Sequence, residues 1–229
     1  MRRQIIKTAD GSSTIQIEGW NEQYHSIHGA IQEANHVYIR HGFLFYAEML
    51  KSQNLMVKQN DIDILEVGFG TGLNALLTYL KAESLDLKIN YIGVEAFPIS
   101  SEELSQMNYP EQLQIDGGVL NEMHNCSWEK DQKISKNFTL KKQKKTFDKI
   151  SDKQAYDVIY FDAFGPRVQP ELWTEDIFSK MFGALKLQGV LTTYSAKGSV
   201  RRALQTVGFT VERLPGPPGK RHMLRAIKS

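Results

Sequence analysis

Three glycines alternate with other residues in Leu65-Glu66-Val67-Gly68-Phe69-Gly70-Thr71-Gly72-Leu73-Asn74, directly after a β-branched run. Such a turn, set between a strand and a helix, lets backbone amides at the helix N-terminus approach a ligand that side chains would exclude. The spacing decides which ligand. A dinucleotide turn reads G-x-G-x-x-G and needs its third glycine where this chain has Leu73, and the phosphate loop G-x-x-x-x-G-K-[ST] is absent. Glu95 closes the next apolar run, where an acid can accept hydrogen bonds from both hydroxyls of a ribose. Asp162 follows the run Tyr156 to Phe161 and precedes Ala163-Phe164-Gly165-Pro166. A carboxylate at that place can bind a protonated amine, whose pKa lies near about 10, and then accept its proton.

These residues need an open sheet to bring them together. Ile62 to Val67, the glycine turn and Thr71 to Lys81 read as strand, tight turn and helix, the helix carrying Leu73, Leu76, Leu77 and Leu80 at helical spacing. Lys88 to Val94 repeats the strand, and a helix from Ile99 to Met107 follows Pro98. Phe138-Thr139-Leu140 is a weaker strand, Tyr156 to Asp162 a strong one, and the polar stretch from Gly117 to Lys136 between them shows no clear period. Thr174 to Leu185 reads as a helix, Gly189 to Tyr194 as a strand, and Gly198 to Val207 as a helix stopped by Gly208. Thr210 to Arg213 and Met223 to Ile227 form a final hairpin around Pro215-Gly216-Pro217-Pro218-Gly219. Repeated strand-helix alternation predicts a Rossmann-like α/β fold, with a mostly parallel seven-stranded sheet and an antiparallel C-terminal hairpin. Polar, turn-rich residues 10–30 and the helical spacing from Ala30 to Leu50 predict an N-terminal strand/helical cap over 1–58, with the Rossmann-like core in 59–229, all in one domain.

Composition bounds the rest. The 229 residues are 41% hydrophobic, enough for one large α/β core. No apolar run reaches the roughly 18–20 residues of a membrane span, and the first residues lack a signal-peptide core, so a cytoplasmic protein is expected. A single cysteine, Cys126, rules out an internal disulfide. The 28 Lys+Arg against 26 Asp+Glu leave a formal charge of +2, so charge alone does not indicate nucleic acid. Local basic clusters stand at Lys141-Lys142-Gln143-Lys144-Lys145, at Lys197 with Arg201-Arg202, and at Lys220-Arg221 with Arg225. His25, His28, His36 and His41 lack the spacing of a zinc site, and no metal is expected.

The E-x-G-x-G-x-G turn resembles the first motif of class I methyltransferases, in which the loop meets the methionine part of S-adenosyl-L-methionine. Three longer strings are more specific: Phe161-Asp162-Ala163-Phe164-Gly165-Pro166-Arg167-Val168-Gln169-Pro170-Glu171-Leu172-Trp173-Thr174, Thr193-Tyr194-Ser195-Ala196-Lys197-Gly198-Ser199-Val200-Arg201-Arg202-Ala203-Leu204, and Gly219-Lys220-Arg221-His222-Met223-Leu224. With Tyr24-His25-Ser26, Glu33 and His36-Val37-Tyr38 upstream, they resemble the methyltransferase of the MnmC/MnmD family over nearly the whole chain. That resemblance implies a tRNA methyltransferase of the stand-alone MnmD type, acting on the 5-aminomethyl group of 2-thiouridine at the wobble position. It implies S-adenosyl-L-methionine as cofactor, no flavin domain in this chain, tRNA bound through its anticodon region, and a separate enzyme that supplies the aminomethyl precursor.

Carried over residue by residue, the resemblance puts Glu66, Gly68, Gly70, Gly72, Asn74 and Glu95 at the cofactor and Asp162 at the amine. The family's Gly-Asp after the third strand, whose acid meets the adenine, is matched by Lys145-Thr146, which leaves Thr146 at that place without a carboxylate. Lys197, Arg201, Arg202, Lys220 and Arg221 are expected to follow tRNA phosphates, and Phe164, Pro166, Trp173 and Tyr194 to lie where an anticodon base would stack. Two rivals compete: an aminopropyltransferase or other small-amine enzyme on the same fold, whose acidic pocket fits poorly beside Lys197, Arg201, Lys220 and Arg221, and a non-catalytic RNA-binding protein that retains the fold.

Overall fold

The computed structural model describes residues 2–20, 22–52 and 61–229. The expected boundary between cap and core at 58/59 lies outside the described residues. Near the N-terminus a small antiparallel sheet is built from β1 (Arg3–Lys7), β2 (Ser13–Ile17) and β3 (Glu22–Gln23), in the order β1-β2-β3. One helix, α1, then runs through 30–52, with its middle, Asn35–Leu44, widened to π-helical turns. Its buried residues include Ala30, Ala34, Val37 and Phe43, and it packs on the central sheet and on the first core helix.

The central sheet is made of β4 (Asp61–Val67), β5 (Lys88–Val94), β6 (Asp131–Lys133), β7 (Phe138–Gln143), β8 (Tyr156–Phe161), β9 (Leu185–Thr193), β10 (Thr210–Pro215) and β11 (His222–Ile227). Their order is β10-β11-β9-β8-β4-β5-β7-β6. Strands β7, β5, β4, β8 and β9 are parallel, while β11 runs antiparallel beside β9 and β10 antiparallel beside β11. The mostly parallel sheet with an antiparallel C-terminal hairpin is therefore present. It has one strand more than the expected seven, because the three-residue β6 pairs with β7 inside the polar stretch where no period was legible.

Both faces of the sheet are covered, as continuous apolar strands require. Ile64, Tyr91, Leu140 and Tyr160 face α1 and α2 (Leu73–Leu85), while Leu65, Val67, Ile159 and Phe161 face the opposite layer. The connections after β5 carry three short helices, α3 (Ser101–Ser105), α4 (Tyr109–Leu113) and α5 (Gly118–Asn125). The opposite layer holds α6 (Glu175–Ala184) and α7 (Gly198–Thr206). Helix α3 starts two residues later than expected because Ser100 caps it with a full capping box, its hydroxyl accepting from Glu103 N while Glu103 accepts from Ser100 N. Among the described residues no helix is long and apolar enough to cross a membrane.

Candidate active site

Strand β4 runs straight into the glycine turn, and parallel pairing with β5 and β8 brings the ends of all three strands to one edge. Gly68 and Gly70 take φ of +97° and +51°, in the left-handed region that favours glycine. A Cβ on Gly68 would lie 2.6 Å from the carbonyl oxygen of Asp162, and one on Gly70 would lie 3.0 Å from the Tyr24 ring. Gly70 N donates to Glu95 Oε2 at 3.0 Å and Phe97 N to Glu95 Oε1 at 2.8 Å, so the turn and the acid form one unit. Above them opens a cavity of about 1020 Å³, lined by Gly68, Gly70, Glu95, Phe97, Thr146 and Phe147 together with Asp162, Phe164, Tyr194 and Lys220. Gly72, Glu66 and Asn74 are not in that lining: Gly72 caps α2, and the other two are buried beneath the floor.

Asp162 is held on both oxygens. Tyr38 Oη, from the widened part of α1, donates to Oδ1 at 2.6 Å, and Asn74 Nδ2 donates to Oδ2 at 2.8 Å. The same Asn74 amide nitrogen donates to Glu66 Oε1 at 2.8 Å. Burial pushes the Asp162 carboxyl up to about 7, with the negative charge of Glu33 acting in the same sense, while hydrogen bonds from Tyr38 and Asn74 and the charge of Lys220 only partly oppose it. Burial likewise raises Glu66 well above the usual carboxylate range, against its hydrogen bond from Asn74. A carboxylate that titrates near neutrality can take a proton from a substrate at the pH where it must act.

Of the expected aromatic residues, Tyr194 and Phe164 line the cavity and Trp173 does not. Trp173 is buried in the core against Phe161 and donates its indole N–H to Phe164 O at 2.8 Å. Phe164 meets Tyr24 edge-on at 5.0 Å and Trp20 at 5.9 Å, and Tyr194 Oη donates to Ala163 O at 2.9 Å. Pro166 lies just outside the lining. Among the expected cations only Lys220 enters the cavity, where it pairs with the buried carboxylate of Glu33; Lys197, Arg201, Arg202 and Arg221 are exposed outside it. Two members of the basic clusters are not surface charges at all. Arg225 is buried, pairs with Glu212 at 2.6 Å and lies over the Phe45 ring, and Lys142 is buried with its ammonium donating to His124 O.

The N-terminal sheet closes the cavity, and this the sequence did not announce. Arg3 pairs with Glu103 at 3.1 Å and donates to Phe97 O at 2.8 Å, and Arg167 pairs with Glu22 at 3.0 Å. Tyr38 and Glu33 were legible only as parts of a family string. Five residues apart, they would point about 140° from each other on a regular α-helix, and the wider winding between them brings them toward one face.

The comparisons with known proteins agree with this geometry. A family model described as S-adenosyl-L-methionine-dependent methyltransferase matches residues 120–229. A tRNA 5-methylaminomethyl-2-thiouridine biosynthesis bifunctional protein MnmC from Leptospira borgpetersenii is 31% identical over 216 residues, covering 90% of this chain and 32% of that protein. The protein of the same name from Hydrogenovibrio crunogenus is 27% identical over 233 residues, covering 97% of this chain and 33% of its own length. The crystal structure of MNMC2 from Aquifex aeolicus superposes with a TM-score of 0.77 at 27% identity, over 100% of this chain and 70% of that one. The chain is similar to MnmC proteins over nine-tenths of its length. It spans about a third of the curated MnmC proteins it matches. A spermidine synthase from Thermotoga maritima, 16% identical with a TM-score of 0.57 over 100% of this chain and 69% of that one, shares the fold.

The cavity fits S-adenosyl-L-methionine, the cofactor of the matching family model. Glycine lets the turn line the cavity with bare backbone at Gly68 and Gly70, where Cβ atoms would crowd Asp162 O and the Tyr24 ring, and Glu95 stands beside it with a carboxylate edge for a ribose. The place matched to the family's adenine-binding acid is lined by Thr146 and Phe147, and Lys145 beside them pairs with Asp152 at 3.9 Å. The 70%-exposed ring of Phe97 also borders this end of the cavity. An apolar slot with one hydroxyl replaces a charged contact there.

Proposed function

We propose that the domain transfers a methyl group to the nitrogen of the 5-aminomethyl group on 2-thiouridine at the wobble position of tRNA. The observation that carries the reading is Asp162, a carboxylate in the cavity, fixed on both oxygens by neutral donors and raised to about 7. The cofactor supplies an already activated methyl group. What remains for the protein is to bind a cationic amine, take its proton and hold the free nitrogen in line, which is largely a matter of position. Asp162 does the first two, and Tyr38 and Asn74 fix the direction of its lone pairs. The proposed cofactor contacts are Gly68, Gly70, Glu95 and Thr146 directly, with Glu66, Gly72 and Asn74 shaping the turn from behind. The names of the MnmC relatives supply the substrate class, and the exposed Lys197, Arg201, Arg202 and Arg221 supply cations for tRNA phosphates.

Nucleoside mass spectrometry of aminomethyl-bearing tRNA, incubated with the protein and S-adenosyl-L-methionine, tests the reading. A gain of one methyl group on the modified uridine is expected; aminomethyl-bearing tRNA that returns unchanged overturns it.

A small polyamine is the second reading, and one observation favours it. Only Lys220 among the cations expected to repel a polyamine lines the cavity, and Glu33 neutralises it, while Glu22, Glu95, Glu103 and Glu171 also border the space. Incubation with putrescine and decarboxylated S-adenosylmethionine, read for spermidine, separates the two.

A further inference from the structure

The lining of the cavity contains a finished cation site. Glu33 is 5% exposed, and its carboxylate accepts from Ser26 N through Oε2 at 2.7 Å. Its other oxygen, Oε1, receives the ammonium of Lys220, which reaches in from the turn between β10 and β11. That ammonium lies 4.0 Å from the centre of the Tyr194 ring, over its face. An acid on one side and an aromatic face on the other are what recognises an alkylammonium ion, because the ring's negative face adds to the carboxylate's charge in a place with little water. The charges of Glu33 and Lys220 are both felt at Asp162, so the site and the acid share one electrostatic environment.

We infer that Glu33 and the face of Tyr194 form an ammonium subsite that receives the substrate's amine before it passes to Asp162, kept by Lys220 until the substrate's ammonium takes its place. This rests on the reading of the substrate as a primary amine. Two ammonium ions do not fit against one carboxylate without repelling each other, so the substrate enters by exchange. Lys220 has somewhere to go. It sits on an exposed turn next to Arg221, with Gly219 at φ +81° on its N-terminal side, and a displaced ammonium there points toward the anionic backbone of an arriving polynucleotide. The exchange converts a lysine that guards the pocket into one that holds the substrate outside it. Selectivity follows, since an uncharged 5-methyluridine cannot replace the lysine on Glu33.

The test is calorimetric titration of the full chain with 5-aminomethyluridine nucleoside and, separately, with uncharged 5-methyluridine. Lys220→Met leaves the subsite vacant, so it is expected to bind the charged nucleoside about tenfold more tightly than the wild type and the uncharged one equally. Glu33→Gln in the Lys220→Met background should remove the preference for charge, whereas Tyr194→Phe, which keeps the aromatic face, should retain it. If Glu33→Gln does not fold, the Lys220→Met comparison stands alone. Lys220→Met that binds the charged nucleoside no better than the wild type, including no binding by either, overturns the inference. Binding is read without methyl transfer. A domain that shows the exchange but leaves tRNA unmethylated would defeat the proposed reaction only, and one that methylates tRNA without the exchange would defeat this subsite only.

Discussion

The two edges of the central sheet both bury carboxylates, and they treat them differently. At the amino edge Asp157 is wholly buried, accepting from Tyr46 Oη and Asp63 N at 2.8 Å each and from Lys186 Nζ at 2.9 Å. Lys186 also reaches Asp63 at 2.6 Å, and Asn90 Nδ2 donates to Asp63 at 2.9 Å, so one lysine knits the starts of β4, β5, β8 and β9 together. Burial works against the charge of Lys186, yet its bonds to Asp63 and Asp157 outweigh that and hold its pKa above the ordinary value. At the carboxyl edge Asp162 and Glu66 receive their hydrogen bonds from an amide and a phenol, which bring no charge. A buried acid beside a cation is a stable fixture, whereas at Asp162 burial outweighs the neutral donors, raises the carboxyl to about 7 and leaves it able to move protons.

Asp162→Asn is expected to give the largest effect: methyl transfer falling by about 10²-fold or more, with S-adenosyl-L-methionine affinity largely kept. The fold should survive. A carboxyl raised from 3.8 to about 7 costs stability progressively as pH rises between those values, and the amide removes that cost. Stopped assays against pH check the role, since the loss should shrink as pH approaches the pKa of the free amine; a loss that merely follows unfolding points to structure instead. Lys186→Met at the opposite edge should do the reverse, lowering stability by about 3 kcal/mol in urea unfolding while leaving turnover per folded molecule unchanged. Reduced turnover in the folded fraction would blur the division between the edges.

Gly70→Val is smaller and falls on the cofactor alone. A left-handed backbone disfavours a branched residue by roughly 1–2 kcal/mol, and the new side chain meets Tyr24, so affinity for S-adenosyl-L-methionine should drop about tenfold. Unchanged affinity in a folded variant would take the turn out of the cofactor site. Tyr38→Phe gives the finest reading. The phenol stabilises the charged form of Asp162, so its loss should move the acidic limb of the rate profile to higher pH by about one unit. An unmoved limb would mean that Tyr38 only packs.

Much of this division was visible in the residues. The glycine turn, the strands read at Tyr156 to Asp162 and Gly189 to Tyr194 and the final hairpin came from local patterns that hold wherever the chain sits, although the second strand begins earlier, at Leu185, where a helix end was expected. Strand was expected in the N-terminal cap, but the three-stranded pairing of β1 to β3 was not legible, because that pairing gives them order that short polar-flanked segments do not encode. Asp162 could be found from the strand that delivers it, but its partner Tyr38 lies 124 positions away and that of Glu33, Lys220, 187 positions away, distances at which spacing carries no signal. Basic clusters misled for a related reason: Lys142 alternates with Lys141 on β7 and turns inward, and Arg225 lies on β11, where four successive residues are buried, so each must find a partner.

The roof formed by the N-terminal sheet has a kinetic consequence. Tyr24 lies against the glycine turn, and the segment around it is tethered to the core by Arg3 and Arg167, so a molecule seated in the turn leaves when that sheet swings away. Exchange of cofactor for spent product is then timed by local opening of a three-stranded patch, and amide protons of Ser13–Ile17 should trade with solvent at the same rate as the ligand departs.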